Sequence, residues 1–298
     1  MKILVTGSNG LLGYKLIQLL ASYPEITSIA TARKSIGGLP ANVRFMELNI
    51  TDRNQTLQVI AEAKPDAVIN TAAMTQVDHC ETDRELCWLA NVTGVENVRL
   101  GCEQNGCHLI HISTDFIFDG SRGPLDETAV PHPVNYYGES KLAGEQVAMQ
   151  SKIPWTILRT VLVYGVTPDM SRSNIVLWVK NSLEAGKTIQ VVNDQWRTPT
   201  LAEDLAMGCY LTAIHKATGI YHISGDEMMT PFDIAIRTAE FFRLDATLIK
   251  PADSTTFKQP AKRPLKTGFV IAKAKKELGY RPHTFHQGLE MVAAQLTR

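Results

Sequence analysis

The stretch Val5–Gly13, "VTGSNGLLG", decides how the rest of the chain is read. It follows "KILV", an apolar run suited to a buried strand, and leads into "LLGYKLIQLLASY", whose apolar residues recur at helical spacing. Glycines 7, 10 and 13 therefore fall on a strand-to-helix turn. Gly7 permits the tight turn, Gly10 the approach of backbone to a pyrophosphate, and Gly13 close packing of helix on strand. The unpaired N–H groups at the helix start favour an anion there. A lone glycine pattern is weak, and its setting between a strand and a helix is what marks this one as a dinucleotide loop. Gly7, Asn9, Gly10, Leu11 and Leu12 are the expected cradle.

Outward from the loop, short apolar strands alternate with helical stretches. "ITSIATA", "VRFMEL", "DAVINTAA" and "HLIHISTD" read as strands, and "RELCWLANVTGVENVRLGCEQNG" as one long helix capped at Gly106. Such alternation implies right-handed crossovers and an α/β, Rossmann-type doubly wound parallel sheet, with ligands beyond the carboxyl ends of the strands. From about Arg159 the regularity falls away. "VYGVTPDMSRSN" and "NDQWRTPTLAEDLA" are rich in turn residues, while "TPFDIAIRTAEFF" and "IAKAKKELGY" are isolated helical patterns. The expected organisation is a Rossmann domain over residues 1–165 and a smaller, irregular C-terminal substrate lobe over 166–298, some of whose segments return to the first domain.

The 298 residues carry 30 Lys plus Arg against 30 Asp plus Glu, a neutral balance that speaks against general nucleic-acid binding. Gly-Ser-Asn-Gly interrupts the apolar start before a signal peptide forms, and no run approaches the ~20 apolar residues of a membrane span. Cys80, Cys87, Cys102, Cys107 and Cys209 are odd in number and lack C-x-x-C spacing, which suits free thiols in a reducing cytoplasm. His108 and His111 lie three apart on one strand, hence on opposite faces, and "HTFH" has no carboxylate pattern beside it. No protein-built metal site is expected, although Mg2+ can accompany a substrate diphosphate.

The end of the second strand bears on the cofactor. An NAD site usually carries an acid there for the ribose 2′-hydroxyl, whereas "TARKS" offers Arg33 and Lys34. Two cations suit a 2′-phosphate, so NADP(H) is expected ahead of NAD(H). Asn49 and Ile50 in "LNITD" are expected against the adenine, and Ala72, Ala73 and Met74 in "NTAAM" along the cofactor.

"NYYGESKLAGE", Asn135–Glu145, offers two tyrosines and a lysine. On a helix, Tyr137 and Lys141 lie about 40° apart and one turn apart, while Tyr136 points about 140° away from the lysine. Geometry selects Tyr137. An ammonium and an oxidised nicotinamide nearby would lower its pKa from near 10. Y-x-x-x-K also arises by chance, but here the strand ending at Ser113-Thr114 supplies a hydroxyl to hold a substrate carbonyl beside the tyrosine.

Glycine loop, strand-end hydroxyl and Y-x-x-x-K, in this order, resemble the extended short-chain dehydrogenase/reductase family over at least the first 165 residues. "STDFIFDG", "PLDETAVPHPVNYYGESKLAGE", "ILRT", "VVNDQWRTPT" and "AKRP" further resemble the dTDP-4-dehydrorhamnose reductases, over nearly the whole chain. That resemblance implies Thr114, Tyr137 and Lys141 as catalytic triad, with Lys141 also on the nicotinamide ribose. It implies hydride transfer from NADPH to C4 of a 4-keto sugar nucleotide, dTDP-4-dehydrorhamnose giving dTDP-rhamnose. Tyr137 would protonate the alkoxide and Thr114 polarise the carbonyl, with Asp115 positioning the sugar. Thr75 and Val77 in "AAMTQVDHCE" match the family's substrate-facing segment.

Leu162 replaces the tryptophan usual two residues beyond "RT", removing an aromatic wall for the sugar. The full second strand and basic turn between Glu25 and Glu47, with "YHISGDEMMTPFDIA", also resemble the regulatory β subunit of methionine adenosyltransferase, which implies a non-catalytic alternative. A 4,6-dehydratase would need a second acid after Asp115, where Phe116 stands. A nucleotide-sugar 4-epimerase shares Tyr and Lys but normally retains NAD, against which Arg33 and Lys34 weigh. Arg197 in "DQWRTPT" and Arg263 in "AKRP" either clamp the substrate diphosphate or tie the lobes together. Trp196 is either a lobe-packing residue or a neighbour of the nucleobase. Tyr136, Ala143 and Val147 form a face for homodimerisation or for packing on the sheet.

Overall fold

A computed structural model describes residues 1–35, 37–168 and 174–297. In chain order the elements of the first half are β1 (Lys2–Thr6), α1 (Leu11–Ala21), β2 (Thr27–Ala32), β3 (Arg44–Glu47), α2 (Arg53–Ala63), β4 (Ala67–Asn70), α3 (Val77–Thr82), α4 (Arg84–Trp88), α5 (Gly94–Asn105), β5 (His108–Thr114), α6 (Tyr136–Met149) and β6 (Trp155–Thr160). The second half adds β7 (Val163–Tyr164), α7 (Ile175–Glu184), β8 (Ile189–Val192), β9 (Thr200–Leu201), α8 (Ala202–Ile214), β10 (Gly219–His222), α9 (Pro231–Phe242), β11 (Ile249–Ala252), α10 (Ala272–Leu278) and α11 (Phe285–Leu296).

The expected doubly wound sheet is present. Seven strands run in the order β10-β6-β5-β4-β1-β2-β3, and every pairing within it is parallel. Strand order reverses beside β1, so the crevice at its carboxyl end is where a ligand belongs. Register sets the site: Thr6 pairs with Asn70, Asn70 with His111, and Thr114 with Thr160. Helices cover both faces. One core joins Val5, Leu16, Ile17, Ile110 and Leu158 to Leu205, Cys209, Ala274 and Tyr280. The other joins Leu4, Ile60, Val68, Val95 and Leu109.

Three elements of the second half pack with the central sheet. β10 extends the sheet on β6, and α8 and α10 contribute to the first core. The other elements of the second half, α7, α9, α11 and the β8–β11 pair, pack around separate apolar clusters, one at Val176, Ile234, Phe285 and Leu289 and one at Val179, Ile189 and Ala239. Within "VYGVTPDMSRSN", Val163 and Tyr164 form β7 rather than a turn, and residues 169–173 lie outside the described residues.

The single long helix expected from Arg84 to Asn105 is instead two helices joined by a π turn over Leu89–Thr93, ending at left-handed Gly106 as expected. A π turn inserts one residue into the helical ladder. Here it accompanies a buried Asn91, whose side chain accepts from the Met74 N–H (2.8 Å) and donates to the Met74 carbonyl (3.0 Å) and to Ser140 Oγ (3.0 Å). α6 is fixed to the sheet by a fully buried ion pair. Arg159 on β6 donates through Nε and Nη2 to both Glu145 oxygens, at 2.9 and 2.8 Å. Breaking such a pair costs about 3–5 kcal/mol, because the remaining charge is stranded. Among the described residues no helix is long and apolar enough to cross a membrane. The five cysteines are free and buried.

Candidate active site

The glycine loop fits a dinucleotide. Gly7 sits at φ +67°, where a Cβ would stand 2.8 Å from the Ala72 backbone, and a Cβ on Gly13 would stand 2.3 Å from the Gly7 carbonyl. Neither position tolerates a side chain, so loop, helix and β4 end approach closely only with glycine. Gly10, by contrast, has open space beyond the Gly7 carbonyl that its own N–H bonds at 2.9 Å. The first turn of α1, at Leu11 and Leu12, leaves N–H groups without intrahelical partners, aimed at that space. Asn9 donates from Nδ2 to the Lys34 carbonyl (2.9 Å), joining the loop to the turn where Arg33 and Lys34 stand exposed. Asn49 is folded into its own turn by Thr51 and Gln55, Ile50 is buried under α5, and Ala72 is held by Thr6 Oγ1 (3.2 Å). Ala73 and Met74 are half-buried, with Met74 pinned by Asn91.

Tyr137 and Lys141 both lie inside the protein, 7% and 3% exposed. Asn135 caps their helix by accepting from the Gly138 N–H (2.8 Å), which sets where the first turn begins. Lys141 Nζ donates to the Ile112 carbonyl (2.7 Å), and burial depresses its pKa to about 8. The Tyr137 phenol behaves otherwise than expected. Burial raises its pKa, and the neighbouring Thr114 hydroxyl lowers it only in part. Desolvation outweighs that hydroxyl and the Asp115 carboxylate adds to it, which together favour the protonated phenol. Phe116 meets its ring edge-on at 5.7 Å, and the thiols of Cys80 and Cys87 complete the apolar wall. Tyr136 points to α4, its ring 6.4 Å from Trp88 and beneath Arg84.

Thr114 ends β5. Its Oγ1 accepts from the Phe116 N–H (3.2 Å) and donates to Asp115 Oδ1 (3.2 Å). Asp115 is 2% exposed. It accepts from Thr267 Oγ1 (2.5 Å) and pairs with Arg197 Nε (3.5 Å). Arg197 in turn spends its fork on the carbonyls of Trp196, Pro264 and Leu265, all in the second half of the chain, and its contact with Asp115 crosses to the first half. Arg263 grips Asp78 with both nitrogens at 2.6 Å yet also lines a cleft of about 720 Å³. Val77 packs in the tyrosine cluster and Thr75 is exposed at the same turn.

That cleft is bounded by Leu162 and Val163, just past β6, and by Trp178, Gln195 and Phe257. Thr114, Tyr137 and Lys141 are not among its lining residues; Leu162 and Val163 follow Thr160, which pairs with Thr114 across the sheet. Trp178 and Phe257 were not foreseen; Trp178, an exposed aromatic within the amphipathic "IVLWVKNSLE", was the available signal. Trp196 is 39% exposed, and its backbone N–H bonds the Leu265 carbonyl. Among the described residues no cluster of three or more His, Cys, Asp or Glu is arranged for a metal.

A buried tyrosine one helical turn from a buried lysine, beside a strand-end threonine and downstream of a glycine loop that fits a dinucleotide, is an arrangement able to support hydride transfer with a positioned proton. The chain is an NAD(P)-dependent oxidoreductase of the short-chain dehydrogenase/reductase class. Within that class it belongs to the family described as the RmlD substrate binding domain, whose model matches residues 1–298. It is 32% identical over 84% of its length, and 75% of the relative's, to methionine adenosyltransferase 2 subunit beta of Xenopus laevis. It is 30% identical to the probable low-salt glycan biosynthesis reductase Agl14 of Haloferax volcanii, over 97% of this chain and 96% of that one. Its fold matches dTDP-4-dehydrorhamnose reductase from Bacillus anthracis, solved with NADP, at TM-score 0.86 and 28% identity, over 99% of each chain.

Proposed function

We propose that this protein is an NADPH-dependent reductase acting at C4 of a 4-keto deoxysugar nucleotide, with dTDP-4-dehydrorhamnose as substrate and dTDP-rhamnose as product. The observation that carries the reading is the buried Tyr137 beside Thr114 and one helical turn from the buried Lys141. Bound NADPH supplies the hydride. Gly7, Asn9, Gly10, Leu11 and Leu12 hold its pyrophosphate, Arg33 and Lys34 the 2′-phosphate, and Ala72, Ala73 and Met74 line its path. Asn49 and Ile50 lie at the adenine end. Thr114 turns its hydroxyl to the C4 carbonyl and polarises it, and Tyr137 gives its proton to the oxygen as C4 accepts the hydride. The ammonium of Lys141 stabilises the resulting phenolate and takes the nicotinamide ribose.

The sugar nucleotide lies in the cleft bounded by Leu162, Trp178, Gln195 and Arg263, and its sugar end reaches toward Thr75 and Val77 in the turn beside the tyrosine cluster. A Mg2+ ion can enter with its diphosphate. The reading places the protein in the cytoplasm, where such nucleotides are made. Homodimerisation belongs to the same proposal, because Leu86, Trp88 and Leu89 stand exposed beside Tyr136. The test is a screen of 4-keto sugar nucleotides with NADPH and NADH, with and without Tyr137→Phe. A second reading, a regulatory subunit that keeps the nucleotide pocket, is favoured by the similarity to methionine adenosyltransferase 2 subunit beta. Tight NADPH binding without turnover of any 4-keto sugar nucleotide would select it.

A further inference from the structure

Arg197 is 4% exposed, Asp115 2% and Thr267 fully buried, and all three lie beside the catalytic threonine. Arg197 Nη1 donates to the carbonyls of Trp196 (2.8 Å) and Leu265 (3.1 Å), and Nη2 to Pro264 (2.6 Å) and Gln195 Oε1 (3.3 Å). Its Nε stands 3.5 Å from Asp115 Oδ2, the oxygen that also receives the Thr267 hydroxyl at 2.5 Å. No face of the guanidinium is left for a diphosphate. The backbone repeats the link: Trp196 N–H bonds the Leu265 carbonyl (2.7 Å), and Thr267 N–H returns to Trp196 (3.1 Å).

Two routes lead from this knot to the reacting groups. Asp115 Oδ1 holds the Thr114 hydroxyl, and Arg197 lies over the Phe116 ring, which meets Tyr137 edge-on. In the other direction, the segment clamped by Arg197 begins next to Arg263, which lines the substrate cleft. We propose that Arg197 and Thr267 are positioning residues that act through Asp115 to lock Thr114 and Tyr137 to the 263–267 segment, whose Arg263 lines the cleft. The bond from Thr114 to Asp115 is long at 3.2 Å, so the threonine proton can turn to a substrate carbonyl while Asp115 keeps its other two partners. The role rests on Thr114 and Tyr137 being the catalytic pair.

The experiment measures kcat, its pH profile and dTDP affinity for Arg197→Met, Arg197→Lys and Thr267→Val. Thr267→Val keeps the side-chain shape and decides the matter if Arg197→Met does not fold. Arg197→Met should lower kcat at least about tenfold, with dTDP affinity unchanged to within about threefold, and Arg197→Lys should restore part of kcat. Removing either partner leaves the buried Asp115 holding its proton more tightly, so the acid limb of kcat moves to higher pH; a purely structural role would not move it. A tenfold loss of dTDP affinity with kcat intact would make Arg197 the diphosphate clamp and overturn the proposal. So would an unchanged kcat and pH profile in Thr267→Val. A wild-type protein without turnover refutes the proposed reaction separately. The positioning role is then read from the Thr114 methyl NMR resonance, which must shift in Thr267→Val and in Arg197→Lys; an unmoved resonance overturns it.

Discussion

Replacing Gly138 by alanine tests how closely the catalytic helix is seated. A Cβ there would stand 2.2 Å from the Phe116 carbonyl oxygen and 3.0 Å from Pro133 Cβ. A relaxed carbon–oxygen contact is about 3.3 Å, so the first turn of α6 must retreat by about 1 Å. Tyr137, the preceding residue, moves with it and away from Thr114. Overpacking costs about 1–3 kcal/mol, and alanine in a helix returns about 1 kcal/mol, so stability falls by at most about 2 kcal/mol. Turnover is more sensitive, since a displacement of 1 Å can cost about a hundredfold. Thermal unfolding and NADPH oxidation with the keto sugar nucleotide measure the two effects separately. We expect a modest fall in Tm, a drop in kcat of about a hundredfold and little change in KM for NADPH. Glu139→Ala, on the exposed side of the same turn, is the control and stays near wild type. Gly138→Ala with wild-type kcat would refute the claim that contact with Phe116 sets the tyrosine.

The two tyrosines should separate: Tyr137→Phe loses about 10²–10⁴-fold in kcat, whereas Tyr136→Phe, which packs on Trp88, keeps most of it, and equal losses would contradict the assignment. Lys141 has a folded pKa of about 8, below that of an exposed lysine. Between about pH 8 and 10.4 the unfolded chain therefore holds a proton that the folded chain lacks, so stability rises with pH across that window. Activity runs the other way, because the ammonium is lost: kcat/KM should fall above about pH 8, and a flat profile through that range would count against Lys141. Arg33→Ala with Lys34→Ala should lower the preference for NADPH over NADH by about tenfold while leaving NADH kinetics unchanged; an unaltered ratio places the 2′-phosphate elsewhere.

The parts of the site legible in the sequence are those whose partners are close along the chain. Gly7, Gly10 and Gly13 span a single turn, and Tyr137 and Lys141 share one helical face. Periodicity alone orients both sets. The contact between Asp115 and Arg197 is not legible in the sequence, because the two meet across distant segments. The same holds for Glu145 and Arg159, a buried pair that sequence presents as two ordinary charges. The π turn was hidden because Leu89–Thr93 has helical composition, and a buried asparagine bonded across to Met74 and Ser140 goes with the irregularity. β10 joined the sheet from the second half through pairing with β6, a non-local choice no window of sequence contains. Leu162 lines the cleft with its backbone at φ +39°, a conformation rare for a branched side chain, so its departure from the family tryptophan sits where the backbone is strained.

The most direct test of hydride delivery to C4 is to follow the atom itself. dTDP-4-dehydrorhamnose is incubated with NADPH carrying deuterium at the transferable position, and the product sugar is read by NMR. The account predicts one deuterium at C4 of dTDP-rhamnose with wild-type protein and none formed with Tyr137→Phe. Product that carries no deuterium at C4, or bound cofactor that retains its label with the keto sugar unchanged, would contradict it.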